Sequence, residues 1–259
     1  MGSGVGKPAT SDDTHRNFLS ESGVYPVMTI LLRGQKAVLY CILVSWFLGA
    51  YALAERQSSN CDSDMRPTHV ELATGDQSIA NHLQLSRKIA SGVSIDLDVC
   101  AADLIVKASS SDVLQVTVDI GSPAPKLTAI DYLKTFDITS QSVALQLDLP
   151  KKARAKVVVV VPTTTSKVDV NLVRGDLSFE TDRIRGERSI NVVDGHVDLL
   201  ANADSFATLQ VDVVMGSFHD HRKGGEDHRF MVSQSLTGTG AGSVQINVVA
   251  GSVDLRPWD

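Results

Sequence analysis

The side chains best able to do chemistry lie in one stretch, HDHRKGGEDH, at residues 219–228. His219, His221 and His228 offer imidazoles, and Asp220 and Asp227 offer carboxylates. Residues i and i+2 of a strand share a face, so His219 and His221 point the same way. His228 can fold back across the flexible Gly224-Gly225 pair. Neutral imidazoles with a carboxylate suit zinc or another transition metal. Arg222, Lys223 and Arg229 lie among them and would repel a cation. The simpler reading is therefore a solvated insertion with no cofactor, and a metal at His219, His221 and His228 is the alternative.

Other candidates are thinner. Asp96, Asp98, Asp169, Asp198, Asp212 and Asp254 alternate with apolar residues, as the solvated face of strands does. Paired carboxylates on such a scaffold can cleave polysaccharides, but spacing singles out no pair. Aromatic residues make up 5% of the chain, which is few for a sugar-stacking groove. No Ser-His-Asp arrangement can be placed, and no catalytic residue is expected. Cys61 and Cys100 could pair in an oxidising compartment, whereas Cys41 sits in an apolar run. GSGVGKP at the N-terminus is no phosphate loop, because Pro8 follows Lys7 and no strand can precede it.

The elements that must position these residues begin beyond an apolar segment. Residues 1–36 are polar and lack periodicity, which predicts a disordered tail. Ala37 to Ala54 is an uncharged run of 18 residues, and as a helix it would be about 27 Å long, close to the hydrocarbon thickness of a bilayer. Arg33 and Lys36 precede it, so the tail is expected in the cytoplasm and residues 55–259 outside. A cleaved signal peptide is the rival: Ala52-Leu53-Ala54 fits a cleavage site, and Met28 would be a normal start for one. The product would then be secreted or periplasmic. Residues 55–89 read as a linker and the entry to a domain spanning 90–259.

That domain is expected to be all-β. Residues 61–259 contain 27 valines and many short alternating runs, such as VSIDLDV, VLQVTVDI and VQINVV. Aligned on Gly175, Gly195, Gly216 and Gly251, apolar residues recur seven, five, three and two positions before the glycine and two and four after it. Twenty-two of 24 slots are apolar, with misses at Arg188 and Asp220. Inward positions are odd before the glycine and even after it, so the chain must bulge or turn a corner there. Glycine permits the positive φ such corners often need. The glycine spacings of 20, 21 and 35 predict a β-solenoid of roughly 20-residue coils, each stacked on the last, with an insertion in the final coil. An earlier, weaker copy places Val93, Ile95, Leu97 and Leu104 around a corner at Cys100.

The net charge of −6 argues against a nucleic-acid partner, since such affinity comes mostly from Lys and Arg. Three cysteines exclude a disulfide-rich scaffold. The stretches RGDLSF, DGHVDL, MGSFHD and AGSVDL resemble the repeat of the DUF4097 family, also called adhesin-like or toastrack domains. The resemblance spans about residues 90–257. It implies one β-solenoid-like domain, usually extracytoplasmic and often carried on a transmembrane helix, in envelope-stress and cell-surface systems. The family's motif residues are structural, so it implies no catalytic residue. The expectation is a membrane-tethered, non-enzymatic binding, sensing or adhesin-like domain whose partners are envelope proteins or surface glycans. A polysaccharide-active enzyme and a purely structural surface protein are the alternatives.

Overall fold

A computed structural model describes residue 70 and residues 72–121, 127–149, 155–180, 185–222 and 224–258. The N-terminal tail, the apolar run Ala37–Ala54, Cys41 and Cys61 lie outside the described residues. Among those described, no helix is long and apolar enough to cross a membrane.

The described chain is built of strands: β1 Gln77–Ile79, β2 His82–Lys88, β3 Ser94–Ala101, β4 Asp103–Ser109, β5 Val113–Ile120, β6 Leu133–Ile138 and β7 Ser142–Leu147, then β8 Ala155–Pro162, β9 Lys167–Glu180, β10 Glu187–Leu200, β11 Thr208–Asp220, β12 Asp227–Arg229, β13 Val232–Thr237 and β14 Ser243–Arg256. A single 3-10 turn, Ala129–Tyr132, interrupts them. Strands begin at β1 and β2, inside the stretch read from sequence as linker and entry.

Strands β9, β10, β11 and β14 run through their glycines and belong to two sheet surfaces at once. Before the corner, β3, β9, β10, β14 and β11 lie parallel, flanked by β7 and β6 at one end and by β13 at the other. After the corner, β4 joins the same four long strands, with β8, β5, β2 and β1 beyond it and β12 at the far end. Alternating apolar residues from both arms, such as Val168, Val170, Leu177 and Phe179, merge into one core.

The all-β class and the parallel coils match the expectation from the repeat. Their stacking order does not. The last strand, β14, slots between β10 and β11, bonded in parallel to both. The chain leaves β11 and returns as β12 and β13, which pair antiparallel to β11 and cover its outer edge. The inserted residues thus form a capping strand rather than a simple loop, which occupies an edge that would otherwise be open to another strand. The cap follows the bend of β11 through Phe230 and Met231, at φ 60° and 51°, and the Phe230 N–H donates to the Gly216 carbonyl at 2.7 Å.

The corner glycines touch one another. A Cβ built on Gly175 would lie 2.0 Å from the Ala102 carbonyl oxygen. On Gly195 it would lie 1.8 Å from the Gly175 oxygen, on Gly251 1.6 Å from the Gly195 oxygen, and on Gly216 1.5 Å from the Gly251 oxygen. Close approach along the column is thus what demands glycine at every level. Gly175 and Gly251 also have φ of 129° and 143°, but Gly195 has no such φ, which corrects the expectation that positive φ is the common reason.

The foot of the column corrects a second expectation. The corner below Gly175 is Ala102, not Cys100, since Ala101 pairs with Arg174. Measured from Ala102, the apolar slots are filled by Ile95, Leu97, Val99, Cys100, Leu104 and Val106, all buried. Alternation alone does not separate Cys100 from Ala102, because a shift of two residues keeps it intact. At Ala102 the strands on the two sides of the corner take different neighbours, β3 pairing with β7 and β4 with β8.

Both slots that break the apolar pattern hold buried charge. Arg188 donates to the Glu187 carbonyl and to Thr165 Oγ1, and burial pulls its pKa down to about 10, still charged at neutral pH. Asp220 accepts from Arg222 Nε at 2.9 Å and Nη2 at 2.7 Å. Burial pushes the Asp220 carboxyl up, but the Arg222 bonds outweigh it and hold it below its ordinary value.

Gly195→Ala should cost about 3 kcal/mol or more, because the new methyl meets backbone that cannot yield without parting two coils. Ala102→Gly, at the foot of the column, should cost about 1 kcal/mol or less. Urea unfolding midpoints compare the two; equal midpoints would refute the column.

Candidate functional site

Parallel register converts the repeat into columns of outward side chains. Before the corner, Asp98, Asn171, Asn191 and Asn247 stand in adjacent strands. Asn171 donates to Asp98 at 2.8 Å, Asn191 to Asn171 at 2.9 Å and Asn247 to Asn191 at 2.9 Å. Each amide both gives and receives, so the ladder ties coil to coil on the outer face, with about 1 kcal/mol net for a typical bond.

Asp96, beside Asp98 and paired in register with Asp169, makes that end of the face acidic. Burial first, then the carboxylates of Asp98 and Asp169, push the Asp96 carboxyl above its ordinary value, against the pull of Lys167.

After the corner, the first outward column reads Asp176, His196, Ser252, Ser217, and the next reads Ser178, Asp198, Asp254, His219. Here imidazoles and carboxylates from three coils converge. His196 Nε2 lies 3.1 Å from Asp254 Oδ2 and 3.3 Å from Asp198 Oδ1. His196 Nδ1 is 2.7 Å from Ser252 Oγ. His221 Nε2 contacts the other Asp254 oxygen, Oδ1. Arg256 reaches over the pair, with Nε 3.2 Å from Asp198 Oδ1 and Nη2 3.8 Å from Asp254 Oδ2. Among the described residues, His196, Asp198 and Asp254 are the one group of three side chains placed to share a metal ion.

The three histidines singled out from sequence are divided. His219 and His221 do share a side, with ring centroids 6.2 Å apart. His219 is held by Asp227 at 3.0 Å and by Ser217 at 2.8 Å. His228 pairs in register with Phe218, an inward position, and its ring stacks on that phenylalanine. It therefore lies on the opposite face of the sheet and joins neither of the others. Arg222 is taken up by Asp220 and packs over Phe206, 5.6 Å from the ring centre.

The sequence marks Asp198 and Asp254 only as solvated strand residues, and His196 is not among the histidines it singles out. The signal that could have found them is the same glycine alignment, read at its outward offsets. Cys100 is disulfide-bonded. Its expected partner, Cys61, lies outside the described residues.

Bent strands stacked on a glycine column, with parallel coils in the middle and antiparallel strands at both ends, define a solenoid-like all-β protein. Residues 62–256 match the model of the Toastrack DUF4097 family, and the chain belongs to that family. The chain is also similar to a solved structure from Clostridium sporogenes described as a "putative cell adhesion protein", at 7% identity and a TM-score of 0.39, covering 67% of this chain and 98% of that one. No curated protein matches the chain.

Because the folded state raises the Asp96 pKa, the ionised carboxylate opposes folding. That penalty is complete above the raised value and vanishes once the pH falls below the unfolded value. Asp96→Asn should therefore raise the melting temperature at neutral pH, and the gain should fade in acid. Melting curves across pH measure this, and a variant less stable at neutral pH would contradict the sign.

Proposed function

We propose that this chain is a non-catalytic protein of the cell envelope whose strand domain is displayed outside the cytoplasm and binds or senses a surface component. Membership in the toastrack family supports the reading, as does the regular outer face built of register-locked polar columns. The observation that carries the placement is the disulfide at Cys100. Such bonds persist in oxidising compartments and are rare in the cytosol. With Cys61 as its partner, the bond ties the polar segment after Ala54 to the foot of the glycine column. In this reading Ala37–Ala54 is the tether, and residues 1–36 remain on the cytoplasmic side.

The inward slots and corner glycines are consumed by packing, so any recognition falls to the outward columns. A partner strand or a glycan would meet a broad polar sheet face. Function cannot be read from fold alone, and it rests here on compartment and surface chemistry.

Protease added to intact spheroplasts should digest residues 62–259 and spare the tail, whereas protection of the strand domain would reverse the topology. In protein denatured without reductant a thiol reagent should leave the buried Cys100 unlabelled, and Cys61→Ser should make it react. A Cys100 that reacts in the unsubstituted chain under the same conditions would remove the compartment argument. Polysaccharide cleavage abolished by Asp254→Asn would overturn the non-catalytic reading.

A further inference from the structure

We propose that His196, Asp198 and Asp254, completed by His221, form a binding site for a divalent transition metal of the zinc class on the outer face after the corner. The proposal is independent of the role assigned to the domain.

The geometry is close to that of an assembled site. Zinc bonds of about 2.0–2.1 Å at tetrahedral angles hold neighbouring ligand atoms about 3.3 Å apart. His196 Nε2 stands 3.3 Å from Asp198 Oδ1 and 3.1 Å from Asp254 Oδ2. One ligand atom from each of the three residues can be chosen so that all lie within 4.8 Å of one another. His221 Nε2 already touches Asp254. A small rotation of that half-exposed ring brings a fourth donor. Two imidazoles and two carboxylates suit zinc, whereas magnesium and calcium favour all-oxygen shells.

The donors are also oriented from behind. Ser252 Oγ holds His196 Nδ1 at 2.7 Å, which leaves Nε2 facing the carboxylates. Three of the four ligands stand on β10 and β14, mid-sheet strands whose backbone is bonded on both sides. Their spacing is therefore set by register and not by a flexible loop.

Arg256 now supplies the positive charge that two adjacent carboxylates require. Its side chain is about half exposed, so it can swing away when a doubly charged ion enters. It thus acts as a competitor of the metal, which gives the proposal an unusual signature: removing a residue should tighten binding.

Zinc titration of the full chain, followed by melting temperature and by direct calorimetry, tests this. Zinc should stabilise the native protein in a concentration-dependent way. His196→Ala should weaken binding by about tenfold or more, and Arg256→Gln should tighten it by roughly threefold or more. His228→Ala, on the opposite face, should leave binding unchanged. Cobalt substitution should give the intense visible absorption of tetrahedral coordination in native protein and lose it in His196→Ala. Melting in chelator confirms that each variant is folded; should His196→Ala fail that control, Asp198→Asn takes its place with the same expectation. No zinc stabilisation of native protein would overturn the site. Binding lost in His228→Ala but kept in His196→Ala would overturn it too, and would move the metal to the inserted segment.

Discussion

Everything else in this fold hangs on the contact between a corner glycine and the carbonyl of the corner beneath it. Each of the four glycines leaves less room than a methyl group needs. The coils can approach that closely only without side chains, and close approach lets every strand keep parallel register through its bend. Register in turn aligns the odd slots before the corner and the even slots after it into one core. It also aligns the outward slots into columns, one an amide ladder and another a cluster of imidazoles and carboxylates. A side chain at one corner would therefore disturb the core and both outer faces together.

The two ends of the stack are closed by different means. At the foot, the corner is alanine, and there the strands on its two sides take different neighbours, β3 pairing with β7 and β4 with β8. At the top, β12 and β13 run antiparallel along β11 and bend with it at Phe230 and Met231. That bend is made without glycine, and both residues accept the left-handed region. A repeat that ended with a bare parallel edge would invite another strand. Here the chain caps itself and then threads its last strand back inside the stack.

Much of the architecture was legible in residue order. The corner positions, the core slots and the all-β class follow from apolar alternation that changes parity at a glycine, and that pattern is local. The two exceptions were legible as exceptions, and both proved to be buried charges with partners. Alternation leaves the foot of the column open to a shift of two residues, because it does not distinguish even shifts. Nearness in sequence groups the three histidines, and strand pairing divides them. His219 and His221 share a face as strand geometry requires, but His228 belongs to an antiparallel neighbour whose register turns it toward Phe218. That register is set by pairing, which no local pattern records.

By itself the sequence determined which residues face inward and where the chain bends, since both depend on neighbours a few positions apart. It also held the composition of every outward column. Only the tertiary structure decided which coil lies beside which. Chain order would have placed Gly216 next to Gly195, with Asp254 at the end of the stack. The insertion of β14 between β10 and β11 instead sets Asp254 between Asp198 and His219 and within reach of His196 and His221. That order follows from where a returning strand can satisfy its backbone on both sides. It is a property of the assembled sheet and is written in no single segment.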